Sequence, residues 1–306
     1  MGQKVPHVTI LLASYNGEKF IEEQLQSILE QDHKDWSLIV SDDGSTDCTT
    51  TIVKRIIDDN PTKDIQLVAG PRRGSNVNFQ SLLQYVLSHS DFVAFADQDD
   101  VWFPFKIARA VAKLSAKQGP ALYGSASIVV DHSLRRGKHP TRRTYVPSFQ
   151  NALVQNIYAG NSCVLNKSGF ELVKQMRTCG VMFDWFLYQL LAGAGGELIY
   201  DTEPSLIYRQ HGRNQIGANQ GWAARFNRFK KMQAGKYRLW NLKNVKVLLD
   251  HGDLLTLENK KRLFGFRLLQ RVTGIHGLLQ LKRLKLFRQT PLGQLGLYYA
   301  AIFGKI

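Results

Sequence analysis

The amino-acid sequence predicts an α/β fold, a mostly parallel, doubly wound sheet flanked by helices, with a basic helical extension at its carboxyl end. Three observations predict it. Short apolar runs alternate with segments of helical periodicity, turn residues stop each apolar run, and the excess positive charge is confined to the last part of the chain. Alternating strands and helices favour parallel strands joined by right-handed crossovers.

Strands and helices alternate repeatedly between residues 8 and 130. Each predicted strand is a short apolar run, and the predicted helices carry apolar residues three or four positions apart. Asp47 suits a helix cap, and Pro104 suits the first turn of a helix. We expect strands at Val8–Ala13, Trp36–Val40, Ile65–Ala69, Phe92–Ala96 and Ala121–Val130. We expect helices at Glu18–Gln31, Asp47–Ile57, Asn76–Leu87 and Pro104–Lys117.

The composition is that of an ordinary globular protein. A length of 306 residues allows one large α/β domain with an appendage, or two small domains. Hydrophobic residues make up 44% and charged residues 21%, which excludes disorder and collagen-like structure. Three widely spaced cysteines cannot form a disulfide framework or a closed zinc site, and no basic-then-apolar leader is present, so we expect a reducing cytosol. No charge-free apolar run reaches the roughly 20 residues that a spanning helix needs.

The positive charge is distributed very unevenly along the chain. Residues 222–306 hold 18 Lys and Arg against three acidic residues, whereas residues 1–221 hold 22 of each sign. We therefore expect a neutral globular domain over 1–221 and a basic amphipathic helical region over 222–306. Trp, Phe and Leu alternate with Lys and Arg in Trp222–Leu249 and Leu278–Phe287, a pattern that suits an anionic membrane surface. One alternative is that these helices pack on the domain and expose a solvated basic face. The other is a surface that binds nucleic acid, but the sequence has no recognised nucleic-acid motif, so a nucleic-acid partner is not expected.

Carboxylates follow the predicted strands at their carboxyl ends, where α/β sheets bind ligands. They are Asp42, Asp43, Asp97, Asp99 and Asp100. Such a cluster repels itself unless a cation lies among its members, and Mg²⁺ takes one or two carboxylates together with substrate phosphates. The alternative is a set of solvated turns. Neither a Gly-x-Gly-x-x-Gly fingerprint nor a Walker motif occurs, so dinucleotide dehydrogenases and P-loop enzymes lose their main support.

Taken together, three motifs resemble those of family 2 of the nucleotide-sugar glycosyltransferases. They are Ser14-Tyr15-Asn16, Asp42-Asp43-Gly44-Ser45-Thr46-Asp47 and Asp97-Gln98-Asp99-Asp100. The resemblance covers residues 6–215 and implies an inverting enzyme with the Rossmann-like GT-A fold. The continuation Val101-Trp102 and the later Tyr208-Arg209-Gln210-His211-Gly212 look like the subgroup labelled rhamnosyltransferases.

The resemblance implies a role for each matching residue on the donor side. Ala13, Tyr15 and Asp43 match the base-binding edge, where a carboxylate accepts from the pyrimidine and a Tyr stacks. Asp99 matches the residue that contacts ribose or metal, and Asp100 the one that holds a divalent cation, Mg²⁺ or Mn²⁺.

Three basic residues complete the predicted donor side. Arg72 and Arg73 are predicted to meet the nucleotide or its phosphates, unless they belong to a solvated loop. His211 is predicted to reach the metal or the pyrophosphate, unless it is a structural hydrogen-bonder.

The predicted chemistry needs a metal that stabilises the departing diphosphate and a base that activates the acceptor hydroxyl. Asp184 matches the family's base, although Phe183 precedes it where Glu is usual; a helix cap is its alternative role. Gly160 and Asn161 match acceptor-side loops, and Trp185 is either a platform for the acceptor or a core residue. The processive motif Gln-x-x-Arg-Trp is absent, which favours transfer of a single sugar.

The sequence thus predicts an inverting, metal-dependent transferase that moves one sugar, with rhamnose from dTDP-rhamnose as the first choice. The predicted acceptor is lipid-linked or saccharide, in bacterial surface polysaccharide (O-antigen) synthesis at the inner face of the cell membrane. One alternative is a UDP-glucose or UDP-galactose transferase of the same fold. The other is a non-catalytic membrane- or nucleic-acid-binding protein on a decayed scaffold, against which the retained acidic cluster argues.

Overall fold

The computed structural model describes residues 5–131, 144–210 and 230–306 and divides into two compact units. Unit 1 comprises Met1–Thr144, Tyr158–Gln175 and Glu197–Gly212. Unit 2 comprises Tyr145–Ile157, Met176–Gly196 and Arg213–Ile306. The boundary expected after residue 221 falls among residues that are not described, and it stays a prediction.

Unit 1 is built on a seven-stranded sheet in the order β3-β2-β1-β4-β8-β6-β9. Its strands are β1 (Val8–Ser14), β2 (Trp36–Asp42), β3 (Ile65–Ala69), β4 (Phe92–Asp97), β6 (Ala121–Ser125), β8 (Val164–Asn166) and β9 (Glu197–Asp201). All neighbours pair in parallel except β8, which is antiparallel to both β4 and β6. The predicted mostly parallel sheet is confirmed. The apolar side chains of its strands are buried, because helices cover the faces of the sheet.

A second, three-stranded sheet in unit 1 has the order β5-β10-β7. Its strands are β5 (Val101–Trp102), β7 (Ile128–Val130) and β10 (Leu206–Arg209). The single strand predicted at Ala121–Val130 was therefore wrong. The chain leaves the main sheet after Ser125, and the Ala126 N–H donates to the Asp201 carbonyl at 2.9 Å before β7 begins in the other sheet.

The helices of unit 1 are α1 (Ile21–Leu29), α2 (Thr49–Asp59), α3 (Ser75–Leu82), α4 (Lys106–Leu114) and α6 (Lys167–Lys174). The first four match the predicted helices: α1, α3 and α4 are shorter because the flanking turns belong to loops, and α2 begins and ends two residues later than predicted. The helices of unit 2 are α5 (Phe149–Ala152), α7 (Phe183–Gly193), α8 (Lys236–Asp250), α9 (Leu257–Leu269), α10 (Gly274–Arg283) and α11 (Pro291–Ile302).

In the part of unit 2 that the structure describes, the regular secondary structure is helical and loops connect the helices. Helix α7 is apolar on nearly all sides and almost wholly buried, as expected for a central helix. Helices α10 and α11 approach closely at Gly277, where an added Cβ would lie 2.4 Å from the carbonyl oxygen of Ala301. Across the described ranges, no helix is long and apolar enough to traverse a bilayer. All three cysteines are free thiols, as their number and spacing predicted.

The strand register brings the predicted acidic residues to one edge of the main sheet. Ser14 of β1 pairs with Asp42 of β2, and Ala13 of β1 pairs with Asp97 of β4. The loops that follow β1, β2 and β4 therefore leave the sheet side by side, which is where a ligand site is expected in such a fold.

Candidate active site

The loops after β1 and β2 are joined by reciprocal hydrogen bonds. The Asn16 N–H donates to the Ser45 hydroxyl at 2.8 Å, and the Thr46 N–H donates to the Asn16 side-chain oxygen at 2.8 Å. The Cys48 N–H donates to the Glu18 carboxylate at 3.1 Å. Asn16 has a positive φ of 48°, a conformation that Asn tolerates better than most residues. These bonds fix both loops as one rigid element.

The neighbouring carboxylates Asp42 and Asp43 accept hydrogen bonds from different loops. The Asp42 Oδ2 accepts from the Gly44 and Ser45 N–H groups of its own turn at 3.1 and 2.8 Å, and its Oδ1 accepts from the Ser14 hydroxyl of β1 at 3.4 Å. Asp43 turns to the loop after β3, where its Oδ2 accepts from the Gly74 N–H at 2.7 Å and its Oδ1 from the Arg73 N–H at 3.3 Å. Each Asp43 oxygen retains a second lone pair, so the carboxylate has capacity for another donor such as a base N–H.

Gln98 connects the loop after β4 to the loop after β1. Its Oε1 accepts from the Tyr15 N–H at 2.8 Å, and its Nε2 donates to the Tyr15 carbonyl at 3.0 Å. The Tyr15 ring itself is 55% exposed beyond the end of the sheet. The amide thus clamps the backbone of an exposed aromatic residue and leaves the ring face open for stacking.

The clamp also explains why residue 17 is a glycine. A Cβ built at Gly17 would lie 2.2 Å from Gln98 Oε1, closer than any side chain allows. The Gly17 N–H donates to the Thr49 hydroxyl at 2.8 Å, so the backbone cannot move away without losing that bond.

Asp100 is the most deeply buried carboxylate of the acidic cluster, with 0% exposure. Its Oδ2 accepts from Asn161 Nδ2 at 2.6 Å, while its Oδ1 is buried without a hydrogen-bond donor in the described part of the chain. Burial, together with the charges of Asp97 and Asp99, raises the pKa of Asp100 well above its usual range; the Asn161 hydrogen bond and the Lys106 charge oppose that rise. An acceptor oxygen without a donor, among like charges, fits a site for a cation.

Lys106, at the start of α4, lies in the same buried region with 0% exposure. Its Nζ stands 4.5 Å from the centroid of the Trp102 ring and has no hydrogen-bond acceptor within the described ranges. Burial lowers the pKa of the Lys106 ammonium to about 8, and the charge of nearby Asp100 is one of the influences that oppose this shift. The sequence pattern did not reveal this residue, because a Lys at the start of a helix is usually a solvated side chain.

Arg209, in β10, binds the loop that follows β4 (residues 98–100), here called the acidic loop. Its Nε donates to the Asp99 carbonyl at 3.3 Å, and its guanidinium pairs with the Glu23 carboxylate of α1. The guanidinium carbon lies 4.8 Å from the centroid of the Phe20 ring. His211, the predicted site residue of the motif Tyr208-Arg209-Gln210-His211, lies outside the described residues. The structure shows that Arg209 of the same motif binds the backbone of the acidic loop.

Comparison with known proteins identifies the family. The family model described as Glycosyl transferase family 2 matches residues 9–170, more than half of the chain. The dTDP-rhamnosyl transferase RfbG of Shigella flexneri is 30% identical over 255 residues, which are 78% of this chain and 85% of RfbG.

The chain belongs to glycosyltransferase family 2.

Solved structures agree with this family assignment at the level of the fold. The mannosyltransferase PcManGT from Pyrobaculum calidifontis, solved in complex with GDP-Man and Mn²⁺, has a TM-score of 0.58 and 16% identity, covering 98% of this chain and 88% of that one. S. aureus TarS 1-349, in complex with UDP-GlcNAc, has a TM-score of 0.56 and 15% identity, covering 96% and 90%. The predicted GT-A fold and transferase class are therefore confirmed, and this family acts on nucleotide sugars.

Some of the remaining site residues predicted for this family 2 enzyme lie in unit 1 and the others lie in unit 2. In unit 1, Gly160 opens a short 3-10 turn, Gly160–Ser162, that carries Asn161 to its contact with Asp100. Arg72 and Arg73 are exposed in the loop after β3. The aliphatic part of Arg72 covers Gly44, where an added Cβ would lie 2.9 Å from Arg72 Cγ.

In unit 2 the predicted base and its neighbour occupy the first turn of α7. Asp184 is half-buried, and its Oδ1 accepts from the Trp185 N–H at 2.6 Å. The Trp185 side chain is buried and donates from Nε1 to the Ala152 carbonyl at 2.7 Å. These contacts describe a packing role for Trp185, while its acceptor-side role and the catalytic role of Asp184 stay predictions.

No ready-made metal site of three or more His, Cys, Asp or Glu is formed by the described residues. The described residues would thus give a cation at the acidic loop one or two ligands. That arrangement is usual for Mg²⁺ sites that share the ion with substrate phosphates.

The Gln98 clamp generates a testable prediction. We expect Gln98→Ala to weaken nucleoside diphosphate binding by roughly fivefold to 150-fold, because the two lost hydrogen bonds to Tyr15 together contribute about 1–3 kcal/mol. Gly17→Ala should act similarly by displacing the amide, and the double variant should be no weaker than either single one. Titration calorimetry with UDP and dTDP measures this, with the exposed Gln66→Ala as the control. Effects that simply add would show that the two residues act independently.

Proposed function

We propose that this chain is an inverting, metal-dependent transferase that moves one sugar from a nucleotide-sugar donor to a lipid-linked or saccharide acceptor in bacterial surface polysaccharide synthesis. The observation that carries the proposal is the buried Asp100 carboxylate. It lies after β4 at the carboxyl edge of the main sheet, near the charges of Asp97 and Asp99, and one of its oxygens has no hydrogen-bond partner among the residues that the structure describes. Such an arrangement is costly unless a bound ligand brings positive charge.

The donor nucleoside is assigned to the edge formed by the first two loops. The exposed Tyr15 ring offers a stacking face, each Asp43 oxygen has a second lone pair for the base, and the half-buried Ala13 near the end of β1 is assigned to the same edge. The exposed guanidinium groups of Arg72 and Arg73 are assigned to the diphosphate or the nucleotide. Charge-assisted hydrogen bonds from Arg to phosphate are strong and directional.

Asp99 and Asp100 are assigned to hold a divalent cation, Mg²⁺ or Mn²⁺, with His211 as a further ligand or a pyrophosphate contact. The cation supplies positive charge that stabilises the departing nucleoside diphosphate. Support comes from the unpaired Asp100 Oδ1 and from the Mn²⁺ in the solved PcManGT complex. Because the pKa of Asp100 is raised, a proton competes with the cation at this carboxylate, and cation affinity should rise with pH.

Asp184 is assigned as the general base that accepts the proton of the acceptor hydroxyl. It lies in the first turn of α7, where the helix dipole favours the charged carboxylate. Its Oδ1 accepts a hydrogen bond from the Trp185 N–H at 2.6 Å, which orients the carboxylate. Gly160, Asn161 and Trp185 are kept as acceptor-side residues.

The proposed donor is dTDP-rhamnose. RfbG, a relative whose similarity extends over 78% of this chain, is named a dTDP-rhamnosyl transferase. A second donor class is supported by WfgD of Escherichia coli, named a UDP-Glc:alpha-D-GlcNAc-diphosphoundecaprenol beta-1,3-glucosyltransferase. It is 30% identical over 156 residues, which are 50% of this chain and 57% of WfgD. A UDP-hexose transferase is therefore the alternative.

The name of WfgD also supports a lipid-linked acceptor, since diphosphoundecaprenol is a membrane lipid carrier. An enzyme with that acceptor works at the inner face of the cell membrane. The basic region 222–306, with its 18 Lys and Arg, is assigned to the anionic lipid surface, and no nucleic-acid partner is expected. A decayed, non-catalytic scaffold is disfavoured. Without a bound cation, the buried acidic cluster would destabilise the protein through repulsion between its carboxylates and would serve no function.

A donor panel tests the proposed function. Full-length protein is incubated with dTDP-rhamnose, UDP-glucose and UDP-galactose, with Mg²⁺, Mn²⁺ or EDTA, and nucleoside diphosphate release is measured. We expect the fastest release from dTDP-rhamnose and none in EDTA, with Asp100→Ala as the inactive control. Release from a UDP-hexose alone would select the alternative donor. No metal-dependent release from any nucleotide sugar in a wider panel would sink the proposal.

A second prediction concerns the base. Asp184→Asn keeps the shape of the side chain and removes its basicity, so we expect kcat to fall at least about 100-fold, the low end of general-base contributions. Nucleoside diphosphate affinity should stay within about twofold of wild type. The matched control is Asp250→Asn, an exposed carboxylate at the end of α8. A wild-type kcat in Asp184→Asn would place the base elsewhere.

A further inference from the structure

Exposed apolar side chains are concentrated in the last helices of unit 2. Fifteen large apolar residues are exposed among those described, and eleven of them lie between residues 239 and 303. They are Leu239, Leu242, Leu257, Phe264, Leu268, Ile275, Leu279, Leu292, Leu295, Ile302 and Phe303. Single exposed apolar residues are normal, whereas a concentration of this kind marks an interaction surface.

Helix α9 has two apolar stripes on opposite sides. Leu263 and Phe266 are buried and form its core-facing side. Leu257, Phe264 and Leu268 are 69%, 54% and 56% exposed. Their spacing of seven and four residues puts them on one line along the helix, because seven residues make nearly two turns. A helix that only covered a core would have polar residues on this outer line.

Basic residues border the outer stripe of α9 on both sides. Lys261 flanks it on one side and Arg267 on the other, and Arg271 lies in the turn that follows the helix; all three are exposed. Glu258 is the single acidic residue of the helix, and it is paired with Arg262 at 2.8 Å. The outer face therefore combines an apolar centre with a positively charged border.

Helix α10 repeats the same arrangement. Ile275 and Leu279, one turn apart, are exposed, while Gly277 and Leu281 are buried on the other side. Lys282 and Arg283 border this second stripe and are exposed. Two consecutive helices thus share one surface chemistry that neither core packing nor solvation explains.

We propose that the outer stripes of α9 and α10 bind an anionic lipid surface, with the Leu, Ile and Phe side chains in the headgroup–acyl boundary. This inference rests on the proposed function, since it names the side chains that bring the enzyme to a membrane acceptor. Apolar side chains gain by leaving water, and the bordering Lys and Arg gain by meeting lipid phosphates.

The basic residues beside the apolar stripes favour an anionic lipid surface over a second copy of the chain as the partner. A twofold dimer through this face would bring the same basic border of both copies together, and like charges across an interface are unfavourable. An anionic bilayer has the complementary charge. Helix α9 has 13 residues and spans about 20 Å at 1.5 Å per residue, less than a bilayer core of roughly 30 Å, so it lies in the plane of the surface.

The test uses full-length protein and vesicles of phosphatidylglycerol and phosphatidylcholine. In co-sedimentation at low salt we expect wild type to bind, and Leu257→Ser/Phe264→Ser/Leu268→Ser to bind at least about tenfold more weakly. Lys261→Glu/Arg267→Glu/Arg271→Glu should also lose binding, and wild-type binding should weaken as salt rises. The matched control is Phe105→Ser/Val146→Ser, two exposed apolar residues outside these helices, which should bind as wild type.

Each other outcome has a distinct meaning. Equal binding of wild type and the triple Ser variant, or equal binding to phosphatidylcholine alone, overturns the proposal. Sedimentation velocity without lipid that shows a wild-type dimer and a monomeric triple Ser variant also overturns it, in favour of a second copy. Donor turnover in solution is measured separately and should be unchanged in all variants. Vesicle binding without any turnover would defeat the proposed function and leave this surface standing.

Discussion

The acidic cluster at the end of β4 is the constraint around which unit 1 is organised. Asp100 has no exposed surface, and two further carboxylates add to its repulsion. Asn161 satisfies one oxygen, and Lys106 places a buried positive charge nearby. Neither contact satisfies the second oxygen, so the fold holds in place an acceptor for which residues 5–131, 144–210 and 230–306 supply no donor.

The surrounding loops have few degrees of freedom, and this rigidity serves the same site. Gln98 binds the backbone of Tyr15, and Arg209 binds the carbonyl of Asp99. The loops after β1 and β2 exchange backbone and side-chain hydrogen bonds. A donor bound between them would meet groups already held in position, which lowers the entropic cost of binding and of reaching the transition state.

The parts that the sequence could predict are those set by local pattern. Apolar runs located β1 to β4, and the rule that parallel strands present ligands at their carboxyl ends located Asp43, Asp99 and Asp100. The parts that it could not predict depend on distant contacts. Asn161 reaches Asp100 across 61 positions, and Gln98 reaches Tyr15 across 83, so no local pattern reports either. The break within Ala121–Val130 was missed because both of its strands are apolar.

As proposed above, Asp100 and its neighbours require a divalent cation in order to bind the donor diphosphate. Titration calorimetry of dTDP, or of UDP if the donor panel selects it, measures this directly with and without Mn²⁺. The account predicts that Mn²⁺ tightens binding at least about tenfold in wild type and has no such effect in Asp100→Asn, which keeps the hydrogen-bonding shape and loses the charge. Equal affinity with and without Mn²⁺ in wild type, or an undiminished Mn²⁺ effect in Asp100→Asn, would contradict it.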